Sequence, residues 1–297
     1  VDTTQRPGRL AVGVVGAGRV GTALGAALTT AGHRVVAASG VSDASRRRAE
    51  RLLPDVPLLP VDEVVAAAEL VLLAVPEEAL PGLVAGLAAT GAVRRGQLVA
   101  HTSGRYGAAV LDPATAAGAL PLALHPVMAF TGTPTDVARL AGCSFGITAP
   151  EPLRPVAEAL VVEMGGEPQW VEEEQRPLYH AALSHGADHL VALVAESMDL
   201  LRRSGVTEPG RMLGPLLGAA LDGALRSGDA ALGGPAARGD AGTVAAHVER
   251  LARVSPQSVA SYAAMARLTA VRALGAGRLR PGDAEALLDV LAGGGRA

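Results

Sequence analysis

The chain has 297 residues, 49% of them hydrophobic, and a formal net charge of −3. That is enough for about two domains with sizeable cores, without the basic field that nucleic acid or an anionic membrane would call for. Aromatic residues are 2% and Cys143 is the only cysteine, which leaves few base-stacking platforms and excludes internal disulfides and cysteine-based metal sites. The first ten residues, VDTTQRPGRL, lack the charged start and apolar centre of a secretory signal. No uninterrupted apolar run of about 18 residues suggests a membrane span, and a soluble cytoplasmic protein is expected. Lysine and asparagine are both absent, which rules out Schiff-base and lysine acid–base chemistry.

Residues 10–15, LAVGVV, form an apolar run of buried-strand length. GAGRVG follows, with Gly16, Gly18 and Gly21 in G-x-G-x-x-G spacing, and apolar residues then continue at helical spacing from Val20 to Ala31. HRVVAAS, residues 33–39, reads as a second strand. In this setting the first glycine permits a tight turn, the second lets the backbone approach a pyrophosphate, and the third lets helix pack on strand. The helix start adds free N–H groups and a positive dipole end. A dinucleotide site is therefore expected, with Arg19 and Val20 of the loop among its contacts.

An NAD site usually has an acid about 20 residues after the glycines, at the end of the second strand. Here Ser39 and Ser42 stand there, followed by Arg46, Arg47 and Arg48. Hydroxyl and guanidinium groups suit a 2′-phosphate, so NADP is favoured, with Ser39, Ser42 and Arg46 as ligands. Asp43 keeps NAD as the less favoured alternative. ELVLLAVP ends a strand and brings Ala74, Val75 and Pro76 beside the cofactor. GQLVAHTSG ends another at 101–104, and ALPLALHP a third at His125 and Pro126. Ligands of open α/β sheets bind outside the carboxyl ends of the strands, so Ser103, Gly104 and His125 should face one crevice; His125 can also be read as part of a structural turn. CSFGITAP, a helix over 153–164, and EPQWV complete an α/β domain over 1–172.

Residues 173–297 read as helices: a long one over 176–204, then shorter ones near 209–227, 241–253, 256–274 and 281–292. On the long helix His180, Ser184 and Asp188 lie four apart and share a face. His185 and His189 share another, but HGADH lacks the glutamate of a zinc helix and no third ligand is evident, so no metal site is assigned. The stretch ALGGPAARGD, 231–240, interrupts the helices with glycines and a proline and is expected to be a loop presenting Arg238 and Asp240. Arg238 would meet an anionic group through its planar fork. Asp240 would orient it or cap the next helix. The apolar faces of the long helix and of segment 212–232 predict a homodimer.

Six markers, GAGRVG (16–21), AVPEEAL (74–80), HTSG (101–104), LHP (124–126), YHAA (179–182) and GGPAARGDAGTVAAH (233–247), together resemble a family over nearly the whole chain. Its members join a Rossmann-like domain to domain of unknown function 2520, within the wider 6-phosphogluconate dehydrogenase-like and β-hydroxyacid dehydrogenase-like group. The resemblance implies a Rossmann-type α/β domain followed by an all-α domain that packs a subunit partner, with nicotinamide and substrate held in a cleft between the domains. Some relatives are linked to ketopantoate reduction. The chain departs from the pattern at Asp188 and Asp222, where asparagine is common, and at Val41, where arginine is common. It also lacks the lysine on which the wider group relies.

These features lead to an NADP-dependent reductase of a small carbonyl or imine compound that carries a carboxylate. His180 is the expected proton donor, with Ser103 and His125 positioning the substrate and Asp188, Arg238 and Asp240 completing the catalytic set. Two alternatives stay open: a non-catalytic NADP-binding sensor or scaffold, and an oxidoreductase that takes its hydride from a reduced deazaflavin.

Overall fold

Short, fully apolar strands flanked by amphipathic helices can only be satisfied by a sheet covered on both faces. The computed structural model describes residues 8–293, and the first seven residues of the N-terminal stretch discussed above lie outside that range. In chain order the elements are β1 (Ala11–Val15), α1 (Arg19–Thr30), β2 (Arg34–Ser39), α2 (Asp43–Leu52), α3 (Val61–Ala67), β3 (Leu70–Leu73), α4 (Leu80–Ala89) and β4 (Leu98–His101). They continue with α5 (Asp112–Ala116), β5 (Leu120–Pro126), α6 (Thr135–Arg139), β6 (Ser144–Thr148), α7 (Arg154–Glu163) and β7 (Glu167–Trp170). The remaining helices are α8 (Arg176–Arg203), α9 (Pro209–Ser227), α10 (Gly234–Arg238), α11 (Ala241–Val254), α12 (Ser258–Gly275) and α13 (Pro281–Gly293).

The sheet runs β2-β1-β3-β4-β5-β6-β7. Its neighbours pair in parallel except β5 and β6, which are antiparallel. The chain order reverses between β1 and β3, so the crevice of a doubly wound sheet opens there. Leu24, Leu28, Phe145 and Leu160 lie in the core on one face, and Val64, Val71, Leu80 and Leu111 in the core on the other. β3 reads LVLL and all four residues are buried, as a central parallel strand requires.

The three motif glycines meet different constraints. Gly16 has φ of 99°, and a Cβ there would lie 2.5 Å from the Ala74 carbonyl oxygen. At Gly21 a Cβ would lie 2.1 Å from the Gly16 oxygen. At Gly18 it would meet only the Ala74 oxygen, at 4.0 Å. Gly16 and Gly21 are thus demanded by the fold, whereas Gly18 opens onto free space.

The chain divides into two compact units, Val1–Ser184 and His185–Ala297. The sheet ends at Trp170, but the first turns of α8 belong to the sheet's unit, because buried Arg176 and half-buried Tyr179 lock onto β5 and β6. The division therefore falls inside α8, twelve residues beyond the 172/173 boundary expected from the end of the strand pattern. Among its described residues the second unit contains only helices, and it has its own core around Ala237, Val244, Ala270 and Leu287. Segment 234–238 is a short helix, not the expected loop. Pro235 is preset for a first helical turn, and Gly239 at φ 73° ends it in the left-handed conformation. Asp240 caps α11 by accepting the Thr243 N–H at 3.0 Å. Among the described residues, no helix is long and apolar enough to cross a membrane.

Candidate active site

A crevice of 380 Å³ lies at the carboxyl ends of β1, β3, β4 and β5. Gly18, Arg19 and Val20 line it from the first turn of α1. Ala74, Val75, Pro76 and Glu77 line it from the loop after β3, Thr102, Ser103 and Gly104 from the loop after β4, and His125 from β5. About half of the residues expected to face a cofactor or substrate line it; His180 does not. Gly16 and Gly21 build the turn beneath. Residues after β2 are engaged locally: buried Ser39 accepts the Gly16 N–H at 3.2 Å, and Ser42 caps α2 by accepting the Ser45 N–H at 3.2 Å. Arg46 is exposed on α2. Arg48 is half-buried and donates to the Ala17 carbonyl within the glycine turn, at 3.4 Å.

The α1 start has no side-chain cap, since Gly18 stands at its N-cap position. Its first-turn N–H groups are free of side-chain acceptors beside the space that Gly18 leaves. That cradle fits a pyrophosphate: backbone donors, a dipole end and no Cβ in the way.

No sequence motif singles out Glu77. Its Oε1 accepts from the Ser103 hydroxyl at 2.5 Å, from the Gly104 N–H at 3.1 Å and from the Arg105 N–H at 3.2 Å. The same oxygen lies 3.9 Å from His180 Nε2. Burial alone would raise the Glu77 pKa. The Ser103 hydroxyl, the Arg105 N–H, the His180 charge and the Gly104 N–H outweigh it and hold the carboxyl below its usual range. Its only sequence signal is an acid just after a strand end of the sheet, and such acids are common on surfaces.

Gly104 brings the two imidazoles together. A Cβ there would sit 2.9 Å from His180 Cδ2 and 3.0 Å from His125 Cε1 and Nε2. Ser103 is buried; its hydroxyl gives its proton to Glu77 and accepts the Arg105 N–H at 3.2 Å and the Tyr106 N–H at 3.3 Å. His125 Nδ1 hydrogen-bonds the Tyr179 hydroxyl at 2.8 Å, so its Nε2 edge is the one beside Gly104. Burial, then the charges of Arg176 and His180, push the His125 pKa down to about 4. Behind it, fully buried His101 donates from Nε2 to the Gly107 carbonyl at 2.8 Å and accepts the Ser103 N–H at Nδ1, at 3.2 Å. Burial also takes its pKa to about 4. Both rings are neutral at pH 7.

Asp188, Arg238 and Asp240 all lie on the surface of the second unit. His185 and His189 place their Nδ1 atoms 2.9 Å apart; no group of three His, Cys, Asp or Glu side chains suited to a metal occurs among the described residues.

Residues 1–126 match a Rossmann-like domain and residues 143–269 match domain of unknown function DUF2520. No curated protein matches the chain. Among solved structures, one from Bacteroides fragilis, provisionally named an NADP oxidoreductase, is 21% identical with a TM-score of 0.71, over 88% of this chain and 98% of that one. A Thermotoga maritima protein is 19% identical with a TM-score of 0.66, over 89% and 98%. A pyrroline-5-carboxylate reductase from Coxiella burnetii is 15% identical with a TM-score of 0.54, over 97% and 98%. At these identities the likeness is one of fold.

The neutral histidines tie stability to pH. A free imidazole takes a proton near 6.5, whereas His101 and His125 resist protonation until about 4. Between these values the unfolded chain binds more protons than the folded one, so stability is fully present above 6.5 and declines as pH falls. Glu77, depressed in the fold, extends the loss to lower pH. Denaturant unfolding of the wild type at pH 7, 6 and 5 should show this decline, and His125→Gln should make it shallower. An equal slope in both proteins would show that His125 is not held neutral.

This chain belongs to the proteins that join a Rossmann-like domain to DUF2520.

Proposed function

We propose that the protein is an NADP-dependent reductase of a small carbonyl or imine compound bearing a carboxylate. The observation that carries this reading is the meeting, in one crevice, of the glycine cradle with Glu77 and the neutral His125, with His180 Nε2 3.9 Å from Glu77. When bound, the dinucleotide supplies the hydride for the carbon of the C=O or C=N bond. His180 delivers the matching proton to the oxygen or nitrogen, so the bond gains two electrons and two hydrogens. Glu77 stabilises the charged imidazole before transfer and, through Ser103 and the Gly104 N–H, fixes the loop against which both imidazoles pack. His125 Nε2 faces the same space and would hold an acceptor atom of the substrate. Arg238 remains our choice for the substrate's anionic group, with Asp240 as the cap that anchors the start of α11; Asp188 would extend the polar face begun by His180. The chain contains no lysine to take either role.

A broad panel of 2-keto acids, cyclic imino acids and ketopantoate-like compounds, assayed by NADPH oxidation, tests the reading. His180→Ala should lower kcat by about 10²–10⁴-fold, the usual contribution of a positioned acid, with little change in KM. Glu77→Gln should lower kcat in the same direction. Arg238→Ala should chiefly raise KM, since losing one partner of a charge-assisted pair costs about 2–5 kcal/mol. Turnover that survives in both His180→Ala and Glu77→Gln would move the chemistry elsewhere in the crevice. No turnover with any compound would favour a cofactor-binding sensor or scaffold. Oxidation only with a reduced deazaflavin would reassign the hydride donor.

The preference for NADP rests on the absence of an acid at the end of β2 and on the arginines of α2. Fluorescence titration should show tighter NADPH than NADH binding. Arg48→Ala, whose side chain already reaches the glycine turn, should weaken NADPH more than Arg46→Ala does. Equal binding of both nucleotides by the wild type would remove the assignment.

We also propose a homodimer formed by the helical unit. The only buried residue of α9 is Pro209, while Met212, Leu216, Leu221 and Leu225 are 48–80% exposed. Leu190 and Val191 on α8 add to the uncovered apolar surface. Monomers do not usually leave such surface bare. Light scattering at micromolar concentration should give about twice the 29.8 kDa chain mass, and a monomer would contradict the proposal.

A further inference from the structure

Arg176 is 1% exposed, which is rare for an arginine. Its guanidinium donates from Nε to the Thr148 hydroxyl at 2.8 Å, and from Nη2 to the Gly146 carbonyl at 3.1 Å and the Ala123 carbonyl at 3.5 Å. It therefore spans the antiparallel seam between β5 and β6. Nη1 is buried and has no partner among the described residues. No carboxylate there lies within ion-pair distance: Glu173, whose charge acts on Arg176, spends its oxygens on the Ala108 and Ala109 N–H groups. A buried cation without a counter-charge is costly. If stability were the only demand, an apolar side chain would fill this place at less cost.

The cation lies one helical turn before Tyr179 and His180 on α8. Its guanidinium carbon is 5.6 Å from the centre of the Tyr179 ring, and the Tyr179 hydroxyl bonds His125 Nδ1 at 2.8 Å. A Cβ at residue 146 would lie 2.2 Å from that hydroxyl, so Gly146, opposite His125 in the strand register, leaves the room the phenol needs. We propose that Arg176 is a positioning residue: behind the Tyr179–His125 hydrogen bond it opposes a second positive charge on His125, so that with the phenol donating to Nδ1 the ring presents only Nε2–H to the crevice.

The physical argument is one of like charges. A proton on His125 would add a second positive charge beside a cation that no carboxylate neutralises, in a buried site. The other charged or titratable groups facing His125 are Tyr179 and His180 from α8, Glu77 from the loop after β3 and the buried His101 at the end of β4. Burial keeps the Tyr179 phenol protonated, so it has a proton to give. Glu77 pulls the other way, but its oxygen is shared among three donors and His180. A neutral ring with a fixed Nε2–H is a hydrogen-bond donor and not an acid. Its natural ligand is an acceptor oxygen, of a carboxylate or a carbonyl, and proton delivery falls to His180.

That consequence rests on the crevice being the reaction site; the tautomer itself does not, and the test needs no turnover. Imidazole nitrogen shifts of the full-length ¹⁵N-labelled protein, followed from pH 8 to 4.5, report protonation and tautomer together. His125 should remain neutral with the proton on Nε2 over most of that range. Arg176→Met should raise its proton affinity at least tenfold, Arg176→Lys should keep the wild-type behaviour, and Tyr179→Phe should mix the tautomers. An Nδ1–H tautomer in the wild type, or an ordinary titration near neutrality, would overturn the proposal even if Arg176→Met failed to fold. An unchanged His125 titration in folded Arg176→Met would overturn it too. The stated tautomer in a protein that reduces no compound of the panel would leave the inference standing and remove the proposed function alone.

Discussion

The candidate site depends on one carboxylate. Glu77 follows β3, the Ser103–Arg105 segment follows β4, and His180 stands on α8 more than a hundred residues along the chain. One oxygen of Glu77 meets all of them. Hydrogen bonds to a charged group are about twice as strong as neutral ones, and here three donors share one acceptor. With Glu77 in place, the loop after β4 adopts the tight turn in which Gly104 lets the His125 and His180 rings approach. Without it, the Ser103 hydroxyl and the Gly104 N–H lose their acceptor, and the Arg105 N–H keeps only the Ser103 hydroxyl. In the proposed reaction, a histidine beside a carboxylate takes the place of the lysine that the chain lacks.

The two imidazoles at Gly104 occupy different environments, and this separates their roles. His125 is backed by the buried Arg176 and by Tyr179, which favour a neutral ring. His180 lies with Nε2 3.9 Å from the Glu77 carboxylate. Titratable groups in unlike surroundings are a recurrent way of dividing roles within one site. The division comes from elements with little in common in sequence: the seam of β5 and β6, the first turn of α8 and the loop after β3.

Much of this was legible in the sequence. The glycine turn, the seven strands and the long helices announced themselves through period and punctuation, and Ser103 and His125 were accessible because strand ends of a doubly wound sheet must face the crevice. Glu77 and Arg176 were not. An acid beside Glu78 after a proline looks like a solvated turn, and an arginine opening a long helix looks like a surface cation. Their importance arises from partners far along the chain, which no local pattern reports. Pro235 and Gly239 are the start and stop signals of α10, yet with only five residues between cap and end they read in the sequence as breakers. Ser39 and Ser42 stand where a ribose ligand is expected, yet the glycine turn and the start of α2 already use their hydroxyls.

The most direct measurement is a crystal structure of the protein with NADPH. The account predicts the pyrophosphate against the N–H groups at the start of α1 with Gly18 beneath it, and the nicotinamide at the end of the crevice lined by Glu77, Ser103 and His125. A nucleotide bound elsewhere, or a crevice that stays empty at saturating NADPH while the Glu77 contacts persist, would contradict it.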